Sequence, residues 1–174
     1  FFMSQFIVYA CPEGPLAEQI EAYLKESRRL CGANAAHDYM PHCTLTGFFE
    51  DEKGAIAHYT DTLNKVLYGR QSTTGEQDIC IKRLIFQDNW HGLELEAEWL
   101  KQLIIQFAQL ESSQTRAQPL RLKDWLHLSL AYDFQQSDGE TLKQLAGERI
   151  NILAEVSWEL RFYERVSKNN WVCH

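Results

Sequence analysis

Two short segments carry residue types that could do chemistry together. Pro41-His42-Cys43-Thr44-Leu45 and Leu126-His127-Leu128-Ser129-Leu130 each set a histidine two residues before a hydroxyl, with apolar residues between and after. On an extended strand side chains alternate, so His42 and Thr44 share one face while Cys43 and Leu45 take the other. His127 and Ser129, against Leu128 and Leu130, repeat the arrangement. An imidazole, with an unperturbed pKa of about 6.5, can serve as general base or general acid near neutral pH. Two of them on opposite sides of a phosphorus atom would activate a water and protonate a departing ribose oxygen, without a metal. The hydroxyls of Thr44 and Ser129 could donate to the non-bridging oxygens, where charge builds in the transition state. Cleavage of a cyclic phosphodiester needs these parts.

Chance must be weighed against this. Six histidines, nine serines and eight threonines in 174 residues make a single H-x-[ST] match unsurprising, and His58-Tyr59-Thr60 is a third one. That match precedes Asp61 in a helix-like stretch and lacks the apolar frame. A lone histidine on a half-buried strand is more often a hydrogen-bonded core residue than a catalyst. Two histidines in matched strand contexts reverse that preference.

The elements that must position these residues follow from periodicity. Gln5 to Ala10 is a β-prone run stopped by Cys11-Pro12-Glu13-Gly14-Pro15. Leu16 to Leu30 has helical spacing, ended by Gly32 and Asn34. Met40 to Phe49 reads as a strand, Lys53 to Tyr68 as a helix, and the polar residues 72–77 as a loop. Asp78 to Gln87 and Gly92 to Ala97 form a hairpin across Asp88 to His91. Trp99 to Leu110 is helical, Glu111 to Gln118 a linker, Leu126 to Tyr132 a strand and Gly139 to Ala146 a short helix. Glu155 to Val166 and Trp171 to Cys173 close the chain as a second hairpin. This order predicts a mostly antiparallel α+β domain rather than a doubly wound sheet. The recurrence of the H-x-[ST] strand after 85 residues suggests two similar lobes facing each other.

Composition narrows the partners. The chain is 45% apolar and 24% charged, ordinary for a globular protein, and long enough for one domain with a sizeable core. No run approaches the roughly 20 apolar residues of a membrane span. The opening residues lack a basic n-region, which argues against a signal peptide. Net charge is −7, and the densest basic spots are only Lys82-Arg83 and Arg121 to Lys123. A protein that neutralises many phosphates carries a basic face, so a small nucleotide or short RNA end is expected, and long nucleic acid is not. Five cysteines, without any C-x-x-C, read as free thiols in a reducing, cytoplasmic compartment. The sequence leaves the oligomeric state open.

At the two motifs the chain resembles the 2H phosphoesterase superfamily (LigT-like), named for paired H-x-[ST]-x motifs. Phe6-Ile7-Val8-Tyr9-Ala10-Cys11-Pro12-Glu13-Gly14-Pro15-Leu16, Ala36-His37, Phe48-Phe49 and Thr141 to Ala146, with Trp158 and Tyr163, extend the likeness to the 2H domain of the Sts/TULA proteins. The resemblance covers nearly the whole chain. It implies a bilobal α+β fold, two mostly antiparallel sheets facing each other with helices outside and the cleft between. It implies metal-independent, cofactor-free hydrolysis of 2′,3′-cyclic nucleotides or cyclic-phosphate RNA ends, with His42 and His127 catalytic and Thr44 and Ser129 binding phosphate. Ser129 stands where threonine is commoner and keeps the hydroxyl. The group's ubiquitin-binding, SH3 and histidine-phosphatase regions find no room in 174 residues, so the chain is expected to be a free-standing relative or one domain of a longer protein.

Other residues have plainer readings. Phe48 falls on the His42 face by alternation and could stack on a base, although core packing accounts for it equally. Tyr9 and Tyr163 match aromatic positions of the relatives and could line the cleft or pack between lobes. Asp133 shares the His127 face and is expected to be solvated, as is the acidic run Glu94, Glu96 and Glu98. His37, His91 and His174 lack any motif. Alternatives are a 2′,5′-phosphodiesterase or RNA-end ligase-like enzyme on the same histidines, and a non-catalytic phosphate-binding interaction module. A metallohydrolase is disfavoured, as no H-E-x-x-H or carboxylate-rich ligand set appears.

Overall fold

The computed structural model describes residues 3–71 and 78–174; the polar loop expected over 72–77 lies outside the described residues. The chain runs β1 (Met3–Glu13), α1 (Pro15–Cys31), β2 (Cys43–Thr44), β3 (Phe49–Glu52), α2 (Ile56–Gln71), β4 (Cys80–Phe86), β5 (Trp90–Glu96), α3 (Glu98–Leu110), β6 (His127–Tyr132), α4 (Gly139–Arg149), β7 (Ser157–Ser167) and β8 (Asn170–Cys173). The α+β order is as expected, with one strand more. Helix α1 starts where Gly14, at φ 93, allows a turn barred to most residues and Pro15 fits the first helical position. Its buried Leu16, Ile20 and Tyr23 recur at helical spacing, as do Leu100, Leu103, Ile104 and Phe107 of α3.

All strand pairings are antiparallel, and the strands form one eight-stranded sheet in the order β4-β5-β6-β2-β1-β7-β8, with β3 also on β1. The two sheets implied by the resemblance are therefore joined into one. The seam is a single cross-strand pair, Cys43 opposite Leu128. Alternation tells which face a strand buries but not which neighbour its edge takes, so the seam was invisible in the periodicity.

Alternate residues of the strands (Phe6, Val8 and Ala10; Cys43 and Leu45; Leu93 and Leu95; Leu128 and Leu130) pack with all four helices into one core. The opposite face carries a smaller cluster of Ile7, Tyr9, Cys11 and Tyr163, with Met40, Phe48 and Trp171 against it. Helices thus occupy one side of the sheet, and the motif side chains project from the other.

The strand expected from Met40 to Phe49 is broken. Between the pairs Tyr9–Thr44 and Phe6–Phe49, the four residues Leu45 to Phe48 oppose only Ile7 and Val8. The amides of Leu45 and Thr46 both turn to the Val8 carbonyl, at 3.0 and 3.5 Å, and the Thr46 hydroxyl accepts the Val8 N–H at 3.2 Å. This is a bulge: the extra residues leave the ladder and bend the strand outward. They are taken up by residues 121–123, through Gly47 N–H to Arg121 C=O (2.8 Å), Lys123 N–H to Leu45 C=O (3.0 Å) and a bridge between Thr46 and Leu122. Conversely, β1 runs three residues past Ala10, because β7 pairs it as far as Glu13–Ser157.

Candidate active site

The seam brings the two motifs together. With Cys43 opposite Leu128 in antiparallel register, His42 comes beside Ser129 and Thr44 beside His127. Each histidine thus neighbours the other motif's hydroxyl, a local two-fold arrangement. The histidines themselves are diagonal neighbours, about 7–8 Å apart by strand geometry, which leaves room for a phosphate between them. His42, Thr44, His127 and Ser129 all line one cleft of about 410 Å³, a size suited to a small ligand.

Both imidazoles are held the same way. His42 Nδ1 donates to the Met40 carbonyl at 2.7 Å, and His127 Nδ1 to the Trp125 carbonyl at 3.3 Å. A carbonyl can only accept, so the proton of each neutral ring sits on Nδ1 and the lone pair on Nε2. Each ring is also stacked on an aromatic neighbour: Tyr9 with His42, centroids 4.0 Å apart, and Trp125 with His127, 4.3 Å apart. Tyr39 also contacts His42, tilted at 5.5 Å, and Trp90 contacts His127 edge-on at 5.4 Å. A hydrogen bond two residues back and a stacked ring together fix both orientations. His58, the third match, lies on α2 and accepts the Ser112 N–H through Nε2, outside the cleft.

Ser129 has a fixed partner as well. The Trp90 indole N–H donates to Ser129 Oγ at 2.9 Å, so the serine's own proton remains available to a ligand oxygen. Gly92 is opposite Ser129 and makes this possible, because a Cβ there would come within 2.3 Å of the Trp90 ring. At this position the need is room for the indole and for the Leu128 carbonyl, which a Cβ would approach to 2.5 Å.

Burial pushes the His42 pKa down to about 4; the Met40 carbonyl partly offsets this, and the neighbouring His127 adds to it. Burial also lowers His127, opposed by the Trp125 carbonyl and helped by the Lys123 charge. The free site therefore holds two neutral imidazoles near pH 7. A consequence for stability can be measured. The unfolded chain takes up the His42 proton near 6.5 and the folded chain only near 4, so acid favours unfolding across that window. Stability is complete above 6.5 and should fall by about 3 kcal/mol as the pH drops to 4. Urea unfolding at pH 7 and pH 5 should show a smaller loss for His42→Gln than for wild type; an equal loss would mean that His42 is not held neutral.

Tyr9 and Phe48 line the cleft, Tyr9 fully buried beneath His42. Tyr163 lies outside the lining: it sits behind Tyr9, centroids 5.8 Å apart, with its hydroxyl accepting from Arg161 at 2.9 Å. Of the two readings open for Tyr163, cleft lining and packing, these contacts fit packing. Asp133 is exposed. Glu94 and Glu96 pair across the hairpin with Lys82, and Glu94 also with Arg83. His37 is tied to Ser27 and the Leu24 carbonyl, and His174 to Glu164.

Among the cleft residues that sequence reasoning missed are Tyr39, Trp90, Tyr132, Arg121 and Lys123. For the last two a signal existed. Leu120-Arg121-Leu122-Lys123 alternates apolar and basic residues; the leucines pack on the core and the cations line the cleft. Among the described residues, no three His, Cys, Asp or Glu side chains are grouped as metal ligands would be, and no helix is long and apolar enough to cross a membrane.

No family model matches the chain. It is 32% identical over 166 residues to the ecdysteroid-phosphate phosphatase of Bombyx mori, covering 92% of this chain and 24% of that protein. It is 31% identical over 169 residues to the ubiquitin-associated and SH3 domain-containing protein B of Homo sapiens (92% and 25%), and 26% identical over 164 residues to protein A of Mus musculus (92% and 26%). The last two are Sts/TULA proteins, so the likeness to that group read from the residues is supported by alignment. The chain spans about a quarter of the length of the curated relatives it matches.

Proposed function

We propose that the chain is a 2H phosphoesterase that hydrolyses 2′,3′-cyclic nucleotides or cyclic-phosphate RNA ends without a metal. The observation that carries this reading is the pair of identically tethered histidines, His42 and His127, set diagonally across one seam with a hydroxyl beside each. The relatives' names support it at the coarser level. One of them, the Bombyx mori protein, is named a phosphatase, an enzyme of phosphate esters, and the choice of a cyclic diester rests on the acid–base pair.

In the reaction, Nε2 of one histidine takes a proton from water as its oxygen attacks phosphorus. The bond from phosphorus to one ribose oxygen breaks, and Nε2–H of the other histidine protonates that oxygen. The products are a nucleoside phosphomonoester and two imidazoles that exchange their proton through solvent. Thr44 and Ser129 donate to the non-bridging oxygens. His42, the more strongly depressed of the two, suits the base, and His127 the acid.

This assignment fixes the pH profile. Activity of the free enzyme should rise as His42 loses its proton near 4 and fall as His127 loses its own below 6.5. The result is a bell in kcat/KM on the acid side of neutrality, whose limbs belong to the pair. The bell should persist in EDTA. A profile without an acid limb, or turnover abolished by EDTA and restored by one divalent ion, would overturn the mechanism.

A further inference from the structure

The chemistry above uses two histidines and two hydroxyls, and it leaves two cations in the cleft without a task. Arg121 and Lys123 lie on a segment separate from both motifs, held by the backbone bonds to Gly47 and Leu45 and by the leucines on either side of Arg121 in the core. The Arg121 guanidinium lies directly against Gly47, where a Cβ would come within 2.8 Å of Nη2, and Nη2 donates to the Phe48 carbonyl at 3.4 Å. The guanidinium is thus placed by its surroundings. Neither cation has an acidic partner among the described residues, although the chain carries seven more acidic than basic residues and ties Lys82, Arg83 and Arg161 to carboxylates.

Position separates the two cations from each other. Lys123 is bonded to Leu45, next to Thr44, and its charge bears on His127. Arg121 is bonded to Gly47, three residues beyond Thr44, which at about 3.3 Å per residue puts its anchor up to about 10 Å from that hydroxyl. A cyclic phosphodiester carries one negative charge, already met by Thr44, Ser129 and the proton of the acid. A guanidinium further along the cleft suits another anion, and its planar fork matches phosphate oxygens.

We propose that Arg121, assisted by Lys123, binds a second phosphate of the substrate, so that the preferred substrate carries a phosphate on the 5′ side of the cyclic one. This rests on the cyclic-phosphate reading. The ligand chemistry is a phosphate, and its two possible sources, a terminal 5′-phosphate or the linkage to a preceding nucleotide, are separated by the choice of substrates.

The test compares kcat/KM for a nucleoside 2′,3′-cyclic phosphate, the same compound bearing a 5′-phosphate, and a dinucleotide ending in the cyclic phosphate. The full 174-residue chain and its Arg121→Gln, Arg121→Lys and Lys123→Gln variants are each assayed. Wild type should favour at least one two-phosphate substrate by roughly 10- to 100-fold, the range for a charge-assisted contact. Whichever is favoured identifies the source. Arg121→Gln should erase most of that preference, Arg121→Lys should restore part of it, and the plain cyclic nucleotide should be affected at least tenfold less. Rising salt should depress turnover of the favoured substrate more steeply, and the difference in slope should vanish in Arg121→Gln. Equal kcat/KM on all three substrates in wild type would overturn the second-phosphate site while leaving the cleavage reading intact. Equal losses on all three in Arg121→Gln would also overturn it, placing the guanidinium on the reacting phosphate. No product from any of them would overturn the cleavage reading, and this one with it.

Discussion

His42→Ala and His127→Ala should each lower turnover of a cyclic-phosphate substrate by at least ~100-fold, the lower end for loss of a positioned acid or base. The double variant should be little worse than either single one. Each histidine acts only if the other is present, because attack and leaving-group protonation belong to one displacement, and such units are grossly non-additive. The two-fold arrangement sharpens the expectation. The rings are tethered alike through Nδ1 and stacked alike on Tyr9 and Trp125, so neither can be a bystander if the other is catalytic. The two variants should differ in their pH profiles. His42→Ala should lose the acid limb near 4, and His127→Ala the limb below 6.5. Steady-state rates across pH 4 to 8 check both points. A His127→Ala variant with full activity would leave one working histidine and defeat the account.

Loss of the hydroxyls is the second large effect. Thr44→Ala and Ser129→Ala should each reduce kcat by roughly 10- to 1,000-fold, bracketing the loss of one oxyanion donor. Folding should hardly change for Thr44, a half-buried side chain on the cleft face. Ser129→Ala also leaves the Trp90 indole N–H without its acceptor, so its thermal stability should fall by about 1 kcal/mol. Ser129→Thr, which keeps the hydroxyl, should retain most of the activity. Comparison of kcat with the unfolding temperature separates the two contributions: wild-type rates in both alanine variants would mean that these hydroxyls do not face the reacting phosphate.

Much of this was legible from residue order because alternation and helical spacing are strong local signals. The frame of helices α1 to α4, the two hairpins and the shared face of each histidine and its hydroxyl could all be read that way. Three things could not. The seam at Cys43–Leu128 is a non-local choice of strand edge, which alternation does not encode. The bulge at Leu45 to Phe48 depends on one threonine hydroxyl capturing the Val8 N–H, an event no propensity predicts. The placement of Trp90 depends on a missing side chain two residues later, at Gly92. Tyr163 stayed open between cleft and packing for a related reason: pairing opposite Ile7 puts it on the cleft face of the sheet, and only tertiary contact sets it behind Tyr9. Arg121 and Lys123 were visible as a basic spot, and only the docking of residues 121–123 on the bulge gives that spot a direction.

The central claim is that two histidines cleave a cyclic phosphodiester without a metal. It is tested most directly by incubating the protein, in EDTA and at mildly acid pH, with the four 2′,3′-cyclic nucleotides and a 2′,5′-linked oligoadenylate, and resolving the products by chromatography. The account predicts a nucleoside 2′- or 3′-phosphate from at least one cyclic substrate with the wild-type protein, and none above background over the same interval with the His42→Ala, His127→Ala double variant. Unchanged substrates throughout, with the nucleotides merely bound by the wild-type protein and released by the variant, would contradict it and make the cleft a phosphate-binding surface.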